Sequence, residues 1–310
     1  MNTVFFNEYG RLRSGWRAAV FLSVFIFLEL GWVSLVGILM PTSSIEGERG
    51  SLFLWGTDIF VSLILAIVLG WVVGKKLEGL PLKALGWTFH RGWFFHGVVG
   101  LIWGAGELAL ACLICVLLGG MSFQWNNEAG PAAITNTLLI SLAMFLVGAA
   151  SEESLFRGYL MQTFARAKLA WVAIVITSLF FASAHLANPN TSILALINTV
   201  LAGVWFSVAY LKTRSLWLPF TSHFAWNWFQ GAILGIPVSG ITRITIAPLL
   251  QHVDNGPAWL TGGSYGIEGG IACTIAIVVS TTLLWFVPFL KADKEMLELT
   301  NSEKILVISD

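Results

Sequence analysis

Two adjacent glutamates and an arginine, Glu152, Glu153 and Arg157, stand near the end of a long apolar run. If this segment is helical, Glu153 and Arg157 lie on one face with the acid on the N-terminal side, which favours an ion pair. Glu152 is then rotated by about 100° from its neighbour and lacks that partner. An unpaired carboxylate is free to act as a general base toward water. The spacing therefore predicts a structural acid, Glu153, beside a chemically active one, Glu152.

Two later apolar segments carry further polar groups, His185 in one and His223 with Asn227 in the other. His223 and Asn227 are one helical turn apart, so an imidazole and a carboxamide would share one face of a helix. Ionisable residues inside membrane-spanning segments are rare and commonly belong to a functional site. A lone buried histidine, however, is more often an ordinary core residue. The functional hypothesis therefore requires these segments and the acidic one to meet.

The positions of these residues along their segments are compatible with one pocket. Measured from the basic residue at the end of each segment, at ~1.5 Å per helical residue, Glu152 lies ~21 Å, His185 ~26 Å and His223 ~14 Å into the membrane. Tilted helices would bring all three to a similar depth. Pro219, one turn before His223, is expected to distort its helix and to admit water.

The overall composition indicates which class of protein positions these residues. Hydrophobic residues make up 56% and charged residues 11% of the 310 residues, and the mean hydropathy is +0.80. Soluble domains contain about 25% charged residues. The composition therefore predicts an all-α, polytopic protein of the plasma (inner) membrane, with the lipid bilayer as its surroundings.

Apolar runs give the expected number of membrane spans, since a helix needs about 20 apolar residues to cross a hydrocarbon core of ~30 Å. They predict a bundle of eight transmembrane helices in a single integral-membrane domain, residues 1–310. The eight runs are 15–40, 52–74, 93–119, 132–165, 169–186, 191–211, 215–236 and 270–290.

The placement of lysine and arginine tests this count. With eight spans, 15 of the 17 basic residues fall on one side of the membrane, and only Arg49 and Arg243 fall on the other. The side rich in lysine and arginine is normally cytoplasmic. Both termini are therefore predicted to be cytoplasmic, with residues 291–310 as a cytoplasmic tail.

Two other kinds of function find no support in the sequence. No basic patch is interleaved with exposed aromatic residues, so nucleic acid is not a predicted partner. Cys112, Cys115 and Cys273 all lie in apolar runs, which predicts packing residues and neither a disulfide framework nor a redox motif.

Taken together, the polar groups form three short motifs in a fixed order on successive apolar segments, within residues 132–230. This motif-bearing region resembles the catalytic core of the CPBP intramembrane proteases, a family that includes the CAAX prenyl proteases and bacteriocin-processing and immunity proteins. The three motifs are Glu152-Glu153-x-x-x-Arg157, Phe181-x-x-x-His185 and His223-x-x-x-Asn227.

The resemblance implies an intramembrane endopeptidase that hydrolyses peptide bonds of membrane-associated peptides or lipidated proteins. It implies that Glu152 and His185 activate the attacking water, and that His223 and Asn227 stabilise the oxyanion. Glu153, with its arginine partner, would hold the acidic helix in place. The resemblance also implies an all-helical fold whose site opens toward the cytoplasm.

The need for a metal stays open at this point, because the family is described both as metalloproteases and as metal-independent glutamate proteases. Glu152, His185 and His223 could bind zinc and leave an open position for water. No His-Glu-x-x-His helix is present in the sequence. The same three residues would serve equally well without a metal.

Two alternatives belong to other classes of function. A proton-coupled transporter could use intramembrane acids such as Glu29, Asp58 and Glu107 as a relay. Glu107 is the strongest argument for it, since no protease motif contains this residue. The sequence shows neither inverted repeats nor paired broken helices of the kind found in many transporters. The other alternative is a non-catalytic membrane scaffold or immunity protein. The sequence argues against it, because all the polar residues of the three motifs are present.

Overall fold

The computed structural model describes residues 4–40, 48–301 and 303. Within them the chain is mostly helical, and five helices are long and apolar enough to cross a membrane. The protein is therefore a polytopic helical membrane protein, whereas the count of eight spans and the orientation of the termini stay predictions. The five helices are Ser14–Leu39, Leu52–Glu78, Trp93–Leu117, Pro131–Arg166 and Ile193–Thr213.

Helical segments also occupy the other predicted spans, although these segments are shorter. Part of the predicted tail, residues 302 and 304–310, lies outside the described residues, as does the side chain of Arg49. In chain order, the elements are α1 (Ser14–Leu39), α2 (Glu48–Glu78), α3 (Trp93–Leu117), β1 (Met121–Trp125), α4 (Pro131–Glu153), α5 (Leu160–Arg166), α6 (Ala170–Ala184), α7 (Ile193–Thr213), α8 (Trp217–Trp228), β2 (Leu250–Asp254), α9 (Ala258–Thr261), α10 (Ile271–Phe286) and α11 (Lys294–Thr300).

The outer surface of the bundle is apolar. In α1, for example, Phe27 is 74% exposed and Ile38 is 81% exposed. A contiguous apolar surface of this kind is unfavourable in water and is stable against lipid tails. Acidic side chains of the spans are instead turned inward, where Glu29, Asp58 and Glu107 line the interior of the bundle.

The helix that carries the glutamate pair is interrupted directly after it. α4 ends at Glu153 and continues into α5 through a π-helical turn, Ser154–Tyr159. Gly158 in this turn has a non-helical ψ of −113°. Such π-helical turns insert a residue into an α-helix and are frequent at functional sites. Here the turn contains Arg157, so it sets the direction in which the guanidinium points.

Two glycines allow α3 to approach α8, the helix that carries the second histidine. A Cβ atom at Gly100 would overlap the side chain of Thr221, and one at Gly104 would overlap the carbonyl oxygen of Ser222. Small residues at this spacing permit the close backbone contact that van der Waals packing within a membrane requires. The contact fixes Ser222 and, with it, the neighbouring His223.

One end of the bundle is rich in basic residues and is held together by ion pairs. This basic end comprises residues 79–92, 166–169, 212–216 and the C-terminal segment around α11. Glu78 is buried and pairs with Arg17 and Arg166, each at 2.8 Å. Arg214 donates to the carbonyl oxygen of Thr300 at 3.1 Å, which ties the C-terminal segment to the bundle.

The opposite end, here named the loop end, comprises residues 118–130, 186–192 and 234–270. β1 and β2 pair there as a two-stranded antiparallel sheet, a small departure from the predicted all-α fold. The long loop before β2 folds onto the bundle, because Ile244 is only 4% exposed and packs in a cluster with Phe145.

Candidate active site

The predicted ion pair between Glu153 and Arg157 is present. Arg157 Nη1 lies 3.2 Å from Glu153 Oε1, and both side chains are fully buried. Arg157 Nη2 also donates to the carbonyl oxygen of Gly203 in α7 at 3.1 Å. A buried arginine needs such partners because an unpaired charge in a low-dielectric interior is strongly unfavourable. The arginine therefore links the glutamate helix to α7.

Aromatic rings complete the surroundings of this arginine. The guanidinium carbon of Arg157 lies 4.8 Å from the ring centre of Phe181 and 5.1 Å from that of Phe206. Cation–π contacts within about 6 Å are favourable, and more so away from water. The motif residue Phe181 thus packs directly against the charged group of another motif.

His223 lies between the two glutamates. Its Nδ1 is 3.0 Å from Glu153 Oε1, and its Nε2 is 3.7 Å from Glu152 Oε2. Its ring also stacks on Phe206, with 4.7 Å between the ring centres. Because the Glu153 carboxylate accepts the Nδ1–H, the Nε2 atom is directed toward Glu152. Glu153 therefore contacts His223 as well as Arg157, and it orients the imidazole ring. The spacing of Glu153 and Arg157 in the sequence did not indicate this second contact.

Glu152 is more open than its neighbour. Its side chain is 38% exposed, whereas that of Glu153 is fully buried. Among the described residues, no hydrogen bond or ion pair joins Glu152 to His185; the histidine nitrogen that approaches it is that of His223. The predicted partnership of Glu152 with His185 is thus not a direct contact.

His185 caps the end of α6, where its ring is fixed by the preceding turn. Its Nδ1 lies 2.8 Å from the carbonyl oxygen of Phe181. A carbonyl oxygen only accepts hydrogen bonds, so Nδ1 carries the proton and the neutral ring keeps a lone pair on Nε2. This arrangement leaves His185 with a basic nitrogen for water or substrate.

All four predicted catalytic residues line one cavity of about 440 Å³. Asn227, one turn beyond His223, also faces this space, and within the described residues its carboxamide has no hydrogen-bond partner. The structure thus brings together residues from α4, α6 and α8 that are separated by many residues in sequence. Their individual roles stay predictions.

The cavity wall also includes acidic residues that no motif contains, Glu29, Asp58, Glu107 and Glu268. Glu268, from the loop before α10, accepts hydrogen bonds from Ser239 Oγ at 2.8 Å and from Trp226 Nε1 at 3.2 Å. Glu107 of α3 also lines the cavity and lies near Ser280. Glu107 was noticed in the sequence as an intramembrane acid, whereas Glu268 was missed because its loop was expected to lie outside the helices.

The wall of the cavity is formed by the middle of several helices and by part of the loop end. From the loop end it includes Asn188, Ser239 and Glu268. Among the described residues, none from the basic end lines it. The opening toward the cytoplasm that the resemblance implies stays a prediction.

The predicted zinc ligands do not form a complete set. Ligands of a tetrahedral zinc ion, at about 2.0–2.2 Å from the metal, lie roughly 3.4 Å from one another. Glu152 and His223 are spaced in this way, at 3.7 Å, but His185 makes no comparable approach. Among the residues that the structure describes, no group of three His, Cys, Asp or Glu is arranged to hold a metal ion.

Comparison with known proteins supports the family that the motifs predicted. A family model described as "Type II CAAX prenyl endopeptidase Rce1-like" matches residues 134–229. This segment contains all three motifs and nearly coincides with the predicted catalytic core, residues 132–230. The resemblance that the motifs indicated is therefore confirmed for this segment.

An Escherichia coli protein named "Uncharacterized 24.3 kDa protein" is 31% identical over 134 residues, which cover 40% of this chain and 60% of that protein. The chain thus spans less than two thirds of the length of this relative. No solved structure matches the chain.

Proposed function

We propose that this protein is an intramembrane endopeptidase that hydrolyses peptide bonds of membrane-associated substrates with a water activated by Glu152. The observation that carries the proposal is the convergence of Glu152, His185, His223 and Asn227 on one cavity. In a bilayer, polar groups of this kind are unfavourable unless they are partnered or face water. A water-containing cavity within the bundle accounts for their position.

In the proposed reaction, Glu152 takes a proton from a water molecule that attacks the scissile carbonyl carbon. His185 accepts a hydrogen bond from the same water through its free Nε2 and so orients it. Glu152 then returns the proton to the departing amine when the carbon–nitrogen bond breaks. The side-chain exposure of Glu152, 38%, gives it the access to water that the fully buried Glu153 lacks.

The negative charge on the carbonyl oxygen needs a donor that is already in place. The carboxamide of Asn227 supplies one N–H, and His223 adds a second donor when its Nε2 carries a proton. Glu153 holds His223 in position through Nδ1. Preorganised donors of this kind commonly contribute about 10²–10³-fold to the rate.

Purified protein in proteoliposomes, assayed with lipid-anchored fluorogenic peptides, tests this proposal. We expect cleavage by the wild type and by Glu128→Gln, a control in an exposed loop, and no cleavage by Glu152→Gln. Because the donors as placed do not complete a metal site, we also expect chelator to leave the rate unchanged. Cleavage that is lost with chelator and restored by zinc would instead favour a metalloprotease.

The proton-coupled transporter predicts a different result in the same proteoliposomes. It would move protons or solute in response to a pH gradient and leave the peptides intact. Transport without cleavage would therefore contradict the proposal. Intact peptides without transport would favour the scaffold or immunity protein.

A further inference from the structure

The cavity wall contains more acidic groups than the proposed reaction uses. Arg243 contacts the ring of Trp55, 5.4 Å from its centre, but is not itself part of the wall. Among the described residues, no lysine or arginine lines the cavity, whereas five acidic side chains do: Glu29, Asp58, Glu107, Glu152 and Glu268. Acidic residues within membrane spans commonly mark the path of a substrate or an ion. The wall is therefore suited to a ligand that carries positive charge.

Two of these acids lack the partners that other buried acids of the bundle have. Glu78 and Glu153 are each paired with arginine. Among the described residues, neither Glu29 nor Asp58 forms an ion pair, and Glu29 Oε1 is buried without a hydrogen-bond partner. A carboxylate oxygen in such a place is unfavourable unless a donor or a positive charge faces it. The protein itself does not supply that group.

Glu29 and Asp58 act from two helices on the same part of the wall. Glu29 belongs to α1, and it lies near both Asp58 and Ser62 of α2. Asp58 and Ser62 are one helical turn apart and so share one face of α2. All three residues line the cavity. Glu29 and Asp58, here named the acidic pair, thus present two carboxyl groups to one ligand.

The acidic pair lies at about the depth of Glu152. α1 packs against the turn that follows α4 through Phe21 and Tyr159, whose ring centres are 5.3 Å apart. From this contact, Glu29 is eight residues further along α1 and Glu152 is seven residues back toward α4, or about 12 Å and about 10 Å along the two helices. Because the cavity measures only about 440 Å³ and an extended peptide advances by about 3.3 Å per residue, the acidic pair is within a few substrate residues of the catalytic groups.

The chemistry of the acidic pair fits a basic side chain. Lysine and arginine offer several N–H donors and no acceptor, and their hydrogen bonds to carboxylates are among the strongest in proteins. A divalent metal ion fits less well, because within the described part of the chain no group of three His, Cys, Asp or Glu is arranged to hold one.

We propose that the acidic pair, Glu29 and Asp58, is a subsite for a lysine or arginine side chain of the substrate. The enzyme would then select membrane-associated peptides that carry a basic residue within a few positions of the cleaved bond. This inference rests on the proposed function, whose substrate class it specifies.

Matched peptides test the subsite on the wild-type protein. Lipid-anchored fluorogenic peptides carry a single lysine, moved one position at a time around the cleaved bond, and each is compared with peptides that have norleucine or acetyllysine at that position. At one position at least, we expect kcat/KM to be about tenfold or more higher for lysine, because the neutral side chains leave the carboxylates unpaired. Arginine at that position should behave like lysine.

The other outcomes separate this inference from the proposed function. Equal cleavage of the charged and neutral peptides at every position would overturn the subsite and keep the protease. If no peptide is cleaved faster than by Glu152→Gln protein, the proposed function fails and the subsite fails with it.

Variants then assign the preference to the acidic pair. In the double variant Glu29→Gln, Asp58→Asn, the ratio of kcat/KM for the lysine peptide to that for the norleucine peptide should fall toward one. Glu107→Gln, an acid of the same wall outside the pair, should keep the ratio, and an equal fall there would overturn the assignment. Asp58→Lys should favour a peptide with glutamate at the same position, which a merely structural role would not produce.

A folded double variant that keeps the wild-type preference for lysine would also overturn the inference. If the double variant does not fold, the single variants Glu29→Gln and Asp58→Asn are measured in its place. Each should lower the ratio, and an unchanged ratio in both would contradict the subsite.

Discussion

Two glutamates of the bundle, Glu78 and Glu152, show how similar groups are used in different ways. Glu78 at the basic end is enclosed by Arg17, Arg166 and Thr163. Glu152 in the cavity has one long contact, 3.7 Å to His223, and a partly exposed side chain. A carboxylate that is fully paired stabilises the fold, whereas one that keeps an open side can exchange a proton with water.

Glu153 combines features of both sites. Like Glu78, it is fully buried and paired with an arginine. Like Glu152, it contacts His223, at 3.0 Å from Nδ1. The comparison therefore predicts four different outcomes for the same substitution, glutamate to glutamine, at four positions in one protein.

The largest effect on cleavage is expected at Glu152. The Glu152→Gln change keeps the shape of the side chain but removes the base, so we expect kcat/KM to fall by about 10²–10⁴-fold. The midpoint of thermal unfolding in detergent should stay close to that of the wild type. Glu128→Gln serves as the matched control, and near-normal cleavage by Glu152→Gln would show that another group is the base.

The largest effect on stability is expected at Glu78. Glu78→Gln removes the carboxylate that Arg17 and Arg166 share and leaves Arg17 with Glu303 as its remaining acidic partner. Breaking a buried ion pair costs about 3–5 kcal/mol. Thermal unfolding should shift accordingly and the yield should fall. Cleavage per folded molecule should be retained, because the residue lies outside the cavity; a selective loss of cleavage would remove the contrast with Glu152.

A mixed effect is expected at Glu153. In Glu153→Gln, the amide oxygen still accepts one hydrogen bond while the charge is lost, and we expect a destabilisation of about 1–3 kcal/mol. Cleavage should fall as well, because His223 loses the carboxylate that orients it. Thermal unfolding and kcat/KM are measured together: a purely catalytic loss, equal to that of Glu152→Gln, would contradict the division of roles between the two acids.

The smallest effect is expected at Glu107. Ser280 Oγ accepts from Trp103 and Trp205 at 2.8 and 2.7 Å, so its hydroxyl proton is left for an acceptor such as the neighbouring Glu107 carboxyl. A glutamine oxygen can accept the same bond. Glu107→Gln should therefore change cleavage by less than about tenfold and stability by no more than ~1 kcal/mol. A complete loss of function would revive the proton relay of the transporter alternative.

The class of protein, the positions of its helices and the pairing of Glu153 with Arg157 were accessible from the sequence alone. Hydropathy and helical periodicity are local properties, and they depend only on neighbouring residues. The order of the three motifs was equally visible, which is why the family resemblance could be recognised and was then confirmed by the match over residues 134–229.

Only the tertiary structure decided which groups meet. The contact of His223 with both glutamates depends on the packing of α8 against α3 and α4, which no local pattern specifies. Glu268 reaches the cavity because its loop folds back onto the bundle.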